Sequence, residues 1–272
     1  MFWRKRDRID TGRRWWLVGV FAGAMVLNGL AGSTTVMGGV DTAAVSDSFP
    51  NLFAPSGVTF AIWGVIYALL VAFIAYTFGW GRSKRSVVPT SVVSEMMSLL
   101  TINLALNGVW ILAWQYKVMW LSVVLMVAIL WTLIRLVDQV RQYDLRGREY
   151  VLARLPFSIY FGWITVATVA NITTWLVSIG WDGAGIRQGI WMVAVLLVAG
   201  TIGVVTALRN HDWAYMAVFV WAFAGILLKH ISPHGFEGMY PSTIITLTIL
   251  LAVFLSVVVQ LAREQFMLPP KR

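Results

Sequence analysis

A chain of 272 residues that is 59% hydrophobic and only 12% charged, with a mean hydropathy of +0.76, carries more apolar surface than one water-soluble core of that size can hide. The absence of cysteine excludes disulfides, thiol catalysis and thiolate metal sites. A net charge of +9 would suggest nucleic acid as the partner of a soluble protein, but here the positive charge gathers in loops on one side of the apolar stretches, which assigns it to membrane orientation and not to nucleic acid.

Apolar segments long enough to cross the hydrocarbon core lie at about 15–34, 57–79, 94–115, 117–138, 152–178, 188–208, 212–231 and 242–262. They predict an all-α, polytopic membrane helix bundle of about eight transmembrane helices, surrounded by lipid bilayer. The first follows a basic run, Arg4, Lys5, Arg6, Arg8, Arg13 and Arg14, and is too long for a signal-peptide core, so the run reads as an orientation signal. The loop over residues 35–56 is the longest; it carries Asp41 and Asp47, no basic residue, and the turn-forming Pro50-Asn51 and Pro55-Ser56-Gly57. Only a tight turn near Tyr116 and Lys117 divides the third span from the fourth. A Pro269-Pro270 pair closes the chain as a short tail, and no internal repeat is visible. With both termini cytoplasmic, every one of the 21 basic residues except Lys117, Arg187 and Lys229 falls on the inner side, as expected of a multi-pass protein of the cell (inner) membrane.

Few ionisable residues sit inside the spans. Arg135 and Asp138, one turn apart at the cytoplasmic end of the fourth span, are expected to pair with each other. Glu95 is expected to open the third span, where a helix dipole favours a carboxylate. Lys229 and His230 close the seventh span at the outer interface, too far from mid-membrane for a retinal Schiff base. No relay of carboxylates crosses the bilayer, which argues against a proton-driven pump. His230, His234 and Glu237 share an outer loop and read as solvated side chains more readily than as a metal set.

What the spans do contain is asparagine and tryptophan. Asn103, Asn107 and Trp110 fall on one face of the third span, and Phe60, Trp63 and Tyr67 on one face of the second. In the fifth, Trp163, Ala167, Asn171 and Trp175 recur every four residues. Given the span directions, Trp63, Asn107, Trp110, Asn171 and Trp175 belong to the outer half of the membrane, with Tyr67 and Trp163 nearer its middle. These ten residues are the candidate ligand-binding set, under the 35–56 loop. A plainer role stands beside it: asparagine as interhelical glue and tryptophan as an interfacial anchor.

Three of these patterns resemble a known family. Phe53-Ala54-Pro55 followed by Trp63 and Tyr67 resembles the F-x-P…W-x-x-x-Y of the second helix of the translocator/tryptophan-rich sensory (TspO) family. Asn103-Leu-Ala-Leu-Asn107-Gly-Val-Trp110 is similar to its third-helix L-N-x-x-W motif, and Trp163, Asn171 and Trp175 to the W-x7-N-x3-W of its fifth. Gly29 to Thr35 loosely resembles its glycine-containing first helix. The resemblance covers residues 1–180 as a five-helix bundle, with residues 181–272 a three-helix extension. This chain departs from the family at Gly57, where a ligand-stacking tryptophan is common, and at Pro156, three residues earlier relative to Trp163 than is usual.

The resemblance implies a non-enzymatic receptor, sensor or carrier for tetrapyrroles such as protoporphyrin or haem, bound as ligand and not required as cofactor. Cholesterol carries over poorly, since no matching Tyr and basic residue follow Asn171. A small-molecule transporter and a porphyrin-degrading enzyme stand as alternatives, although no acid, base, nucleophile or metal set lies within the membrane. Small residues on spans six and seven (Gly200, Gly203, Ala217, Ala224, Gly225) would permit packing on a partner protein, on a second copy as a homo-oligomer, or on the first five helices.

Overall fold

The computed structural model describes residues 9–33, 36–82 and 86–267, and among these it contains helices and no strand. Eight helices are long and apolar enough to cross a membrane. In chain order the elements are α1 (Thr11–Ser33), a short α2 (Thr42–Asp47), a 3-10 turn (Gly57–Ala61) running into α3 (Ile62–Thr77), α4 (Thr90–Gln115), α5 (Met119–Val140), a one-turn α6 (Gly147–Glu149), a π turn (Tyr150–Arg154) leading into α7 (Leu155–Ser178), α8 (Gln188–Asn210), α9 (Trp213–Ile231) and α10 (Pro241–Met267). Arg4, Lys5, Arg6, Arg8, Thr35, Lys84, Arg85 and the Pro269-Pro270 tail lie outside the described residues.

Helices satisfy their own backbone groups, which is what lets apolar segments cross lipid. Their outward faces carry branched aliphatics such as Val124, Val127, Ile245 and Ile249, all exposed on the bundle surface as lipid contact requires. The turn between α4 and α5 is as tight as the sequence implies: Lys117 takes a left-handed φ of 56°, and Val118 N–H donates to Ala113 O at 2.8 Å.

The helices assemble around α7, which packs on α3, α5 and α9, while α4 lies between α1 and α5, and α10 between α9 and α8. Two glycines bring α9 close to the first five spans. A Cβ on Gly162 would fall 2.8 Å from Tyr215 O, so α7 and α9 meet backbone to backbone. A Cβ on Gly225 would coincide with the Thr59 side chain, which brings α9 against the 3-10 turn. There Ser56 N–H donates to Gly225 O at 3.1 Å and Trp221 Nε1 to Thr59 O at 2.9 Å. The last three spans are thus knit into the first five.

Four local expectations are corrected. α4 begins at Thr90, so Glu95 is a turn too late to meet the helix dipole and accepts from Gln139 Nε2 at 2.7 Å instead. Asp138 pairs with Arg141 at 2.8 Å and not with Arg135, since Arg141, held in helical register by its N–H to Val137 O at 2.9 Å, stands one turn further along the same face. His230 is fully buried, not solvated: the chain beyond α9 folds back over it, and its Nε2 lies 3.0 Å from Leu52 O. The fifth span begins at Gly147, five residues early, and opens with the π turn. Pro156 has no N–H to give to the carbonyl four residues back, and the preceding turn widens so that Leu155 N–H reaches Tyr150 O.

Candidate ligand-binding site

Aromatic side chains from α3, α4 and α7 meet between the helices. Trp63 is the hub: its ring centre lies 5.4 Å from Tyr67 (stacked), 5.8 Å from Tyr160, 6.3 Å from Trp163 (edge-on) and 6.4 Å from Trp110. Phe60 meets Trp163 edge-on at 5.9 Å, and Trp110 stacks on Trp114 at 5.8 Å. These are the spacings at which ring quadrupoles attract. The rings surround a cavity of about 40 Å³, enough for water and far short of the roughly 300 Å³ at which ligand pockets begin.

Of the ten candidate residues, Phe60, Trp63, Trp110, Trp163, Ala167 and Asn171 line this cavity. Tyr67 sits behind Trp63. Asn103, Asn107 and Trp175 are not among the lining residues. Each asparagine is tied to a neighbouring helix. Asn103 Nδ2 donates to Thr132 Oγ1 at 2.7 Å on α5, and Asn107 Oδ1 accepts from Asn28 Nδ2 at 2.9 Å on α1. Asn171 exchanges two bonds with Ser122 on α5, at 3.0 and 2.9 Å, so its amide is occupied although it faces the cavity. The asparagines therefore hold helices together, although Asn103 Oδ1 and Asn107 Nδ2 are themselves buried without a partner. Trp110 Nε1, Trp163 Nε1 and the Tyr67 hydroxyl are buried with no hydrogen-bond partner.

Of the rest of the wall, the sequence pointed to the 35–56 loop but not to the helix residues. Trp114 shares a helical face with Trp110 and could have been found from that spacing. Met126 and Thr174 give no such signal. Thr42, Ser46, Ala54 and Pro55 come from the loop, which folds over the cavity as a lid. Asp41 caps α2 by accepting from Ala43 and Ala44 N–H at 2.9 and 2.8 Å. A Cβ on Gly57 would lie 4.0 Å from Ala43 Cβ, so the lid helix borders the position where the family's tryptophan would stand.

Both halves of the bundle fasten this lid. From α4, buried Gln115 Nε2 donates to Met37 O and Val40 O at 3.0 and 2.8 Å, and Trp114 Nε1 to Thr42 O at 3.2 Å. From α9 come the His230 contact to Leu52 O and an ion pair of 2.7 Å between Lys229 and Asp47. Asn51 braces the segment internally, accepting from Phe53 and Ala54 N–H at 3.1 and 2.9 Å. No titratable side chain lines the cavity, and among the described residues no three His, Asp or Glu side chains come together as a metal set.

The fold and the site define a polytopic α-helical membrane protein with a lidded, aromatic cavity between its helices. The family model for TSPO-like proteins matches residues 14–261, and the chain belongs to that family. The match begins in α1 and ends in α10, so it takes in the helices beyond residue 180. No curated protein and no solved structure gave a significant match.

Proposed function

We propose that this chain is a non-enzymatic membrane binding protein that takes flat lipophilic molecules, tetrapyrroles first among them, into the aromatic cavity beneath the lid. The observation that carries the reading is the pair of buried, unpartnered indole N–H groups on two cavity-lining tryptophans, Trp110 and Trp163. Buried donors normally have acceptors. A porphyrin offers ring faces for stacking and carboxylates for those donors. The absence of any ionisable lining residue supports binding over chemistry.

The 40 Å³ cavity corresponds to a closed state, so uptake requires the lid to open and the rings to part. The basic-residue asymmetry supports placing both termini in the cytoplasm and the lid on the far side of the cell membrane. In this arrangement residues 1–180 form the binding body, and the three-helix extension contributes lid anchors from α9.

Titration of the purified protein with protoporphyrin IX, followed by the shift of the porphyrin absorption band, is expected to saturate. Trp110→Phe and Trp163→Phe each remove one N–H and keep an aromatic ring; each is expected to weaken binding by about 2- to 10-fold. Affinity unchanged in both variants, or no saturable binding, would sink the assignment.

A further inference from the structure

A cavity larger than the aromatic one lies elsewhere. At the lid end of the bundle, where α7 ends and α8 begins, the 50–53 segment and the loop after α9 enclose about 410 Å³, roughly ten times the volume of the aromatic core cavity and within the range of small-ligand pockets. We propose that this is a second ligand site and that it takes a small lipophilic cation, an ammonium-type group on an aromatic or alkyl body.

Five aromatic residues line it, and beside Phe53 four rings supply the body's contact: Trp181, Trp191, Phe236 and Tyr240. They are held in place before any ligand arrives. Trp181 and Trp191 meet edge-on at 5.0 Å, and Trp191 Nε1 donates to Gly183 O at 2.5 Å. Gly183 has φ +77°, and a Cβ there would fall 2.8 Å from the Trp191 ring, so this turn is shaped against the indole. On the opposite wall Phe236 and Tyr240 meet edge-on at 5.6 Å. Their loop is tied to the end of α9 by Phe236 N–H to Lys229 O at 2.9 Å and Gly238 N–H to His230 O at 2.8 Å.

The charge in the wall has one sign. Asp182 is its carboxylate, and no Lys, Arg or His lines the cavity. Asp182 accepts only from Ala184 N–H, at 2.9 Å, and has no basic partner among the described residues. Lys229, the basic residue of the adjoining helix end, is engaged with Asp47. Arg187 lies between two lining residues, Ile186 and Gln188, but is not itself part of the lining. A carboxylate beside four aromatic faces favours a cation through both ion pairing and the ring quadrupoles. An anion, including a porphyrin propionate, would meet repulsion and no compensating base. The two cavities therefore select ligands of opposite charge.

The test uses the full chain in phosphatidylcholine discs, titrated calorimetrically with trimethyl(naphthylmethyl)ammonium and with its uncharged isostere, neopentylnaphthalene. The cation is expected to bind saturably and at least tenfold more tightly than the isostere. Asp182→Asn, at an exposed position where folding is not at risk, should cost the cation about tenfold and leave the isostere unchanged. Trp181→Ala should weaken both, and Trp163→Phe neither. Equal affinity for cation and isostere, no saturable binding, or sensitivity to Trp163→Phe in place of Asp182→Asn would overturn the proposal.

Discussion

The two cavities share a wall, the 50–55 segment, and are both rich in aromatic side chains, yet one holds about 40 Å³ of space and the other about 410 Å³. The difference lies in the backbone behind the rings. Around the core cavity the rings project from α3, α4 and α7 into the space between these helices, and indole packs on indole until little of that space is left. Around the second cavity they project from helix ends and connecting turns, where the chain leaves α7 at Ser178 and starts α8 at Gln188. A cluster of aromatic residues in a membrane chain thus marks tight packing as readily as it marks a pocket. Free volume opens where helices end.

The contrast can be broken most forcefully at Trp63. Replacing it with alanine removes the ring that four others contact and is expected to cost about 3–5 kcal/mol, read as a lower thermal unfolding transition by circular dichroism. A loss below about 1 kcal/mol would mean that the cluster is not close-packed. Next comes Gln115→Leu, which keeps volume but strands the Met37 and Val40 carbonyls, at about 1–3 kcal/mol for each buried group left unpaired. Hydrogen exchange should accelerate over residues 36–48 and stay unchanged in α5; uniform acceleration would show that the lid has no independent opening.

His230→Leu strands a single carbonyl, that of Leu52, and should speed exchange over residues 50–56 with a cost of about 1–3 kcal/mol. Because this segment is common to both cavities, it should also raise the association rate of protoporphyrin. Asn103→Ala removes two interhelical bonds, to Thr132 and to the Ile129 carbonyl, each worth about 0.6 kcal/mol on average and at most about 1.7. Porphyrin affinity should be untouched, and a large loss would return Asn103 to the binding set. The smallest effect is expected from Lys229→Met, below about 1 kcal/mol and vanishing at high salt, since its partner Asp47 is mostly exposed.

The spans were legible because hydropathy is a property of each segment alone. The lid's fastening was not, because it depends on which segments meet. His230 looked like a loop residue, and nothing near it in sequence announces a carbonyl 178 residues away. The asparagines show the same limit at shorter range. Helical periodicity set Asn103 and Asn107 on one face, but the face of a helix can touch two neighbours, and their partners Thr132 and Asn28 lie on different ones. Tryptophan was read more successfully: Trp63, Trp110 and Trp163 do converge, since a large ring has few places to go in a bundle. Their crowding, which closes the cavity, depends on side-chain volumes that spacing does not record.

The bond from Trp221 to the Thr59 carbonyl spans 162 residues, and that distance is also a time. A ribosome adding about 5–20 residues per second needs roughly 8–30 s to travel it. For that interval the early spans sit in the membrane with the turn before α3 lacking its α9 contacts, and His230 is not yet made to hold the lid. The full fastening of the lid is therefore an event of late biogenesis, completed only when the seventh span is inserted.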